Sequence, residues 1–368
     1  MLSPHPEHRP KVALLGVGGV GGVVAAALEH AGHCDLTLIS RGATLEALRT
    51  DGLLVKMPYS QSEYRCKPRV AAIDALAAEA GEQDYVFCIT KAHQLPPLVD
   101  QLLPLFGPNT VLVPCMNGIP FWYYHGLPNV EDRPIAAVDP GSRLFTKLGS
   151  SRAIGCVVRV GGSVAVPGVV VSAGATSMLE FGEPDGKATA RLDRLMSLFA
   201  DAEDKPVPFA VKTQPSIRNA VWDKLVFNVV GNPLQTLTQV IGDLFVKTAT
   251  VFLTAELTQA TCGDLVADPK LRKLCAQIMD EMFALGAAMH PPIEFSVSME
   301  QLVTGFTAYG GAKASTLQDL EAGRPFEKDA LLTAVQDMAH DVGVPTPFID
   351  MAAALLQGLE RNAVLNKL

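Results

Sequence analysis

The stretch Lys11–Gly32, KVALLGVGGVGGVVAAALEHAG, decides the reading of the chain. A short apolar run over Val12–Leu15 breaks into Gly16, Gly18 and Gly21 at the G-x-G-x-x-G spacing, and an Ala/Val-rich helical segment follows at once. The order is strand, tight turn, helix. Gly16 makes the turn, Gly18 lets the backbone approach a pyrophosphate, and Gly21 lets the helix pack on the strand. The helix start then aims free N–H groups and the positive end of its dipole at phosphate. A glycine-rich turn can serve packing alone. Set between strand and helix, this one reads as a dinucleotide site formed by Gly16, Val17, Gly18, Gly19, Val20 and Gly21.

At 368 residues the chain is long for one hydrophobic core, and two domains are expected. With 48% hydrophobic and 18% charged residues it has the composition of a soluble globular protein. A net charge of -8 argues against a nucleic-acid or membrane-surface binder, while leaving room for a local basic pocket. The seven cysteines are scattered, odd in number and free of any C-x-x-C, which points to reduced thiols in a cytoplasm. The opening MLSPHPEHRP lacks the features of a signal peptide and is expected to be a frayed leader. Five glycines interrupt the most apolar window, Val12–Leu28, so it suits a buried strand and helix better than a membrane span. The histidines show no metal-ligand spacing; His5, His8 and His125 are expected on the solvated surface, with no metal bound.

The end of the second strand, Leu36–Ile39, chooses between cofactors. An NAD site places an acidic residue there for the ribose 2′-OH, whereas an NADP site offers an arginine to the 2′-phosphate. Here Ser40-Arg41-Gly42 follows the strand, and Arg41 stands 20 residues beyond Gly21; Asp35 lies at the wrong end of the strand. NADP is favoured over NAD, with a solvated loop arginine as the plain alternative. A helix over Ala43–Asp51 and strands over Leu53–Met57 and Arg65–Ala71 come next.

Asp84–Thr90 has the uninterrupted apolar character of a buried parallel strand, and Lys91-Ala92-His93-Gln94 sits at its carboxyl end. Ligands bind outside the carboxyl ends of such strands, which makes Lys91 and Gln94 candidates, although a lysine there can equally be a surface charge. A helix over Leu98–Phe106, a turn at Gly107-Pro108-Asn109 and a strand over Val111–Cys115 lead to Asn117-Gly118 at the same rim. Asn117 is a candidate for the nicotinamide ribose or the substrate, or simply part of an Asn-Gly turn. Phe121–Tyr124 puts four aromatics in a loop, as a lid, a dimer contact or plain packing.

Strands with turns at Gly161-Gly162 and Pro167-Gly168 fill Ala153–Phe181, before a helix over Ala188–Asp201 and a strand over Val207–Val211. Beyond Thr213 the periodicity turns helical: Asn219–Val240, Thr248–Val266, Pro269–Met289 and Glu327–Val342. The expected fold is therefore an α/β Rossmann-type dinucleotide-binding domain over residues 1–213, followed by an all-helical domain over 214–368.

In the helical half, Lys224, Asn228 and Asn232 recur every four residues and share one helix face among Val226, Phe227, Val229 and Val230. Polar groups so placed need partners or a water-filled cleft; a snorkelling lysine and backbone-satisfied asparagines would also answer. Asn232-Pro233 is expected to kink or end the helix, leaving Asn232 beside an open pocket. Ala314–Glu327 reads as a polar, turn-rich passage entering a helix near Glu327, a carboxylate that could hold a lysine or merely suit a first turn.

Taken together, the glycine turn, Lys91-Ala92-His93-Gln94, Asn117-Gly118, the Lys224-x3-Asn228-x3-Asn232-Pro233 helix and the Ser315…Glu327 passage resemble the ketopantoate reductase family (2-dehydropantoate 2-reductases) over nearly the whole chain. The resemblance implies a Rossmann domain joined to a helical one, an active site in the cleft between them, NADPH as reductant and a small-molecule 2-keto acid as substrate. It gives Lys224 the role of general acid, and Glu327 that of positioning Lys224 and the substrate. Asn228, Asn232 and Ser315 become substrate ligands, while Lys91 and Asn117 line the cofactor side. It also implies a homodimer. Two departures concern the pocket: Glu327-Lys328-Asp329 leads to Leu332-Thr333 where many members carry Glu-Ile-Asp and then Asn-Gly, and the aromatic loop is longer. Alternatives are a reductase of another 2-oxo acid or an imine, and a non-catalytic NADP-sensing protein.

Overall fold

The computed structural model describes residues 9–175, 177–200, 202, 206–248, 261–310 and 313–365, with side chains described except within 239–248 and 362–365. The expected leader and His5 and His8 lie outside these residues, as does most of the helix expected over Thr248–Val266. The chain forms two compact units, residues 1–135 with 139–218, and residues 136–138 with 219–368.

Unit 1 is built on a five-stranded, all-parallel sheet. Its strands are β1 (Lys11–Leu15), β2 (Asp35–Ser40), β5 (Arg69–Ala72), β6 (Gln83–Cys88) and β7 (Phe106–Pro114), in the order β5-β2-β1-β6-β7. Helices α1 (Gly19–Ala31), α2 (Gly42–Asp51), α3 (Leu76–Glu79) and α4 (Leu95–Leu102) connect them. Val12, Leu14, Leu38, Val86 and Phe87 are fully buried, as a sheet covered on both faces requires. The strand order reverses on either side of β1, where ligands of open α/β sheets bind.

Two smaller sheets complete the unit. One joins β4 (Ser62–Cys66), β3 (Leu53–Met57), β10 (Val169–Ser172) and β9 (Gly162–Val166); the other joins β12 (Phe209–Thr213), β11 (Ser177–Gly182) and β8 (Gly155–Arg159). The single strand expected over Arg65–Ala71 is thus two, placed in different sheets, because Pro68 has no N–H to continue a ladder. The helix expected over Leu98–Phe106 starts earlier, with prolines in its first turn, and gives way to a 3-10 turn at Leu103–Leu105. Gly107-Pro108-Asn109 belongs to β7, where Thr110 Oγ1 accepts the Gly107 N–H at 2.9 Å and donates to the Gln83 carbonyl. A short helix α5 spans Arg143–Lys147, and the helix expected over Ala188–Asp201 is the shorter Ala190–Ser197, α6.

The four aromatics Phe121–Tyr124 are all buried, so the packing reading of that loop holds. Arg218, itself buried, donates from Nε to the Tyr123 carbonyl at 2.8 Å and from its terminal nitrogens to the carbonyls of Pro184 and His125. His125 is half-buried and paired through Nδ1 with Asp132 at 2.6 Å, not solvated as expected, because the loop folds back over it.

Unit 2 is helical among the described residues. Its helices are α7 (Ile217–Thr248, whose first two residues belong to unit 1), α8 (Cys262–Ala267), α9 (Pro269–Ala288), α10 (Met299–Tyr309), α11 (Ser315–Glu321), α12 (Ala334–Val342) and α13 (Pro347–Leu365). A π turn at Asp329–Thr333 precedes α12. Glu281 on α9 accepts the N–H groups of Phe348 and Ile349 at 2.8 and 3.0 Å, seating the positive end of α13 on a carboxylate. Among the described residues no helix is long and apolar enough to cross a membrane, and no cluster of His, Cys, Asp and Glu could hold a metal ion.

Candidate active site

In unit 1 the strand register levels one rim of the sheet. Leu15 pairs with Ile39 on one side and Cys88 on the other, and Cys88 pairs with Pro114. The residues that leave these strands, Gly16, Arg41, Lys91 and Asn117, therefore emerge along the same carboxyl edge.

The glycines divide by what surrounds them. Gly16 adopts φ +98°, and a Cβ there would meet the Ile89 carbonyl oxygen at 2.5 Å. A Cβ on Gly21 would lie 1.9 Å from the Gly16 oxygen. Gly18 is different: nothing lies within 4 Å of where its Cβ would be. The first two are demanded by the protein's own backbone, while the third faces space into which a diphosphate can come. Gly18 is also the N-cap of α1, which has neither a side-chain cap nor an acidic residue in its first turn, so the helix start is free to receive an anion. Val17 is buried and Val20 packs on the core, so both offer a cofactor main chain only. The elbow fits a dinucleotide.

Gly19 was readable only as part of the motif; its packing was not. A Cβ there would lie 2.1 Å from the Gly162 carbonyl oxygen, so the β9 end backs directly onto the glycine turn. Arg41 is exposed at the N-cap of α2. Gln94 is engaged locally, its Oε1 accepting the Lys91 N–H at 3.2 Å, while Lys91 and Asn117 are half-buried. Two further side-chain atoms at the same rim, Thr90 Oγ1 and His93 Nδ1, are buried without a hydrogen-bond partner.

In unit 2, Lys224, Asn228 and Asn232 lie on α7 as the spacing required; the first two are half-buried and Asn232 is buried. The helix does not end at Pro233 but continues to Thr248, correcting the expected stop there. Packing outweighs the proline, since Val229, Val230 and Leu234 are buried and Thr236 Oγ1 donates to the Asn232 carbonyl at 2.7 Å. Asn232 Nδ2 is left buried with no partner, an amide donor awaiting an acceptor.

The neighbour of Lys224, Asp223, accepts from the N–H of Ser296 at 2.9 Å and from its hydroxyl, locking that turn of α7 to the segment before α10. Ser315, expected in a turn-rich passage, is the first residue of a short helix, α11. Ala314, just before it, donates its N–H to Gln235 Oε1 on α7, so Ser315 is held against the helix that carries the lysine and asparagines. Glu327 is buried just ahead of the π turn, its carbonyl accepting the Leu331 N–H at 3.2 Å.

An open parallel sheet with a glycine elbow at its reversal point, in a chain that also carries a lysine–asparagine helix, defines a dinucleotide-dependent enzyme of the Rossmann class. The family model described as ketopantoate reductase PanE/ApbA matches residues 12–186, and its C-terminal counterpart matches residues 243–360. The chain belongs to the ketopantoate reductase family. It is 35% identical to a 2-dehydropantoate 2-reductase of Mesorhizobium japonicum over 95% of its own length and 97% of the relative's. Its fold is similar to a ketopantoate reductase candidate from Ralstonia solanacearum MolK2, with a TM-score of 0.81 and 30% identity over 97% and 99% of the two chains. It is also similar to 2-dehydropantoate 2-reductase from Methylococcus capsulatus, with a TM-score of 0.75 and 21% identity over 96% and 97%.

Proposed function

We propose that this protein reduces 2-dehydropantoate (ketopantoate) to pantoate with NADPH, a step of pantothenate synthesis. The observation that carries the substrate side is Asn232 Nδ2, a buried amide donor without a partner, on the same helix face as Lys224 and Asn228. A keto acid presents the oxygen acceptors such a donor lacks. Ser315 takes the carboxylate, and Asn228 and Asn232 the hydroxyl and carbonyl groups. Lys224 stabilises the oxygen as negative charge builds on it and then donates the proton that completes the alcohol. Glu327 positions Lys224 and the substrate.

NADPH, when bound, would supply the hydride for the ketone carbon. The glycine elbow holds its diphosphate and Arg41 its 2′-phosphate, with Lys91, Gln94 and Asn117 along the rim. The absence of an acid after β2, together with the exposed Arg41, supports NADPH over NADH. The reading extends to residues 1–213 as the nucleotide domain and 214–368 as the substrate and dimerisation domain of a cytoplasmic homodimer, with light scattering as the check on assembly.

A second reading, reduction of another 2-oxo acid, rests on the departure at Glu327-Lys328-Asp329, where the Lys328 ammonium pairs with Asp329 at 3.1 Å and Glu360 at 3.5 Å. NADPH consumption with ketopantoate, pyruvate and larger 2-oxo acids separates the two. A rate with ketopantoate no better than with pyruvate rejects the first, and equal rates with NADH reject the cofactor assignment.

A further inference from the structure

Helix α13 carries a carboxylate where its apolar stripe calls for a hydrophobic residue. Ile349, Ala352 and Leu356 are buried at three- and four-residue spacing, and Glu360 is the next position on that line. Its side chain is only 22% exposed, so it needs partners. Glu360 Oε1 accepts the Phe326 N–H at 3.0 Å, and Oε2 lies 3.5 Å from the Lys328 ammonium. The residue between those two contacts is Glu327.

Both sides of this clamp are fixed. At the other end of α13 the N–H groups of Phe348 and Ile349 sit on Glu281 of α9, and Asp350 accepts from Gln336 Nε2 of α12 at 2.7 Å. Phe326 is buried. Burial opposes the charge on Lys328, but Asp329 at 3.1 Å and Glu360 together hold its pKa above the ordinary lysine value, so it stays an ammonium between two carboxylates. One oxygen of Glu360 thus holds the main chain before Glu327, and the other holds the side chain after it. With the Leu331 N–H on the Glu327 carbonyl at 3.2 Å, the backbone that aims the Glu327 side chain is held on either side.

We infer that Glu360 is a positioning residue for the reduction, acting through Glu327 by fixing where that carboxylate stands relative to Lys224 and the keto acid. The inference rests on the role given to Glu327 above.

Steady-state kinetics with NADPH and the 2-oxo acid that wild type reduces fastest test it, in single and double variants. Glu327→Gln comes first: a wild-type rate there rejects the role of Glu327 itself, and this inference with it. Given a slowed Glu327→Gln, Glu360→Leu removes both contacts and should lower kcat/KM about ten- to a hundredfold, the scale of a small misplacement at a reacting centre, with NADPH affinity unchanged. In the Glu327→Gln background the same change should have no further effect, since residues that act as a unit are not additive. Glu360→Gln keeps an oxygen for the Phe326 N–H but gives up the charge held against Lys328. It should lose about threefold, again only with Glu327 intact, and it carries the test if the leucine variant does not fold. A wild-type kcat/KM in Glu360→Leu overturns the proposal while leaving Glu327 in its role. So do losses that multiply in the double variant, as those of a merely structural residue would.

Discussion

Gln235 Oε1 accepts the backbone N–H of Ala314, tying the residue before Ser315 to the helix that carries Lys224, Asn228 and Asn232. Gln235 is fully buried, and its Nε2 lies 3.5 Å from Cys262 Sγ. Replacing it with leucine keeps the bulk but leaves a peptide N–H without its acceptor. Gln235→Leu should lower stability by about 1–3 kcal/mol. If Ser315 binds the keto acid, the same change should raise KM more than it lowers kcat. Urea unfolding and steady-state kinetics check both, and parallel losses in kcat and KM with all substrates would reduce Gln235 to a structural role.

The glycines of the elbow should part company on substitution. Gly21→Ala drives a methyl into the Gly16 carbonyl oxygen, and Gly16→Ala adds a side chain at positive φ against Ile89. Both should cost stability, about 1–2 kcal/mol for the left-handed backbone alone at Gly16. Gly18→Ala meets nothing in the protein and should fold with an unchanged Tm, yet bind NADPH at least tenfold more weakly. Calorimetry paired with cofactor titration distinguishes the classes.

Lys224→Ala should cut turnover about 10²- to 10⁴-fold, the usual loss for a catalytic acid, with NADPH affinity preserved. A variant that turns over at the wild-type rate would remove the lysine from the chemistry.

Acid should weaken unit 1 through Glu180. Burial alone would raise this carboxyl, but hydrogen bonds from Arg159 and Gln214 and the charges of Arg159 and Lys212 together hold it below the ordinary range. A depressed folded-state value means stability that is present above the unfolded carboxylate range and is lost as pH falls through the folded one. Wild type should therefore exceed Glu180→Gln by about 1.5–3 kcal/mol at neutral pH. The gap should narrow below about pH 4, as followed by urea unfolding across pH 3–7.

What could be read from residues alone was whatever local pattern dictates. The elbow, the levelled strand ends at Arg41, Lys91 and Asn117, and the four-residue spacing on α7 all follow from short-range periodicity. The division of Arg65–Ala71 between two sheets did not, because alternation does not say which neighbour a strand will find. Pro233 inside α7 misled for a related reason: the local rule against proline was outweighed by burial on both sides of it. Gln235 and Glu360 gave no signal, since each acts through a segment distant in the sequence.

The contact between Gly19 and Gly162 also has a bearing on biosynthesis. A nascent chain that has emerged only through β7 possesses every residue of the nucleotide motif but not the hairpin against which the turn rests. The cofactor loop is therefore expected to reach its final shape only after translation has passed β9 and β10. Ribosome-bound intermediates shorter than that should stay insensitive to dinucleotide, however complete their glycine signature.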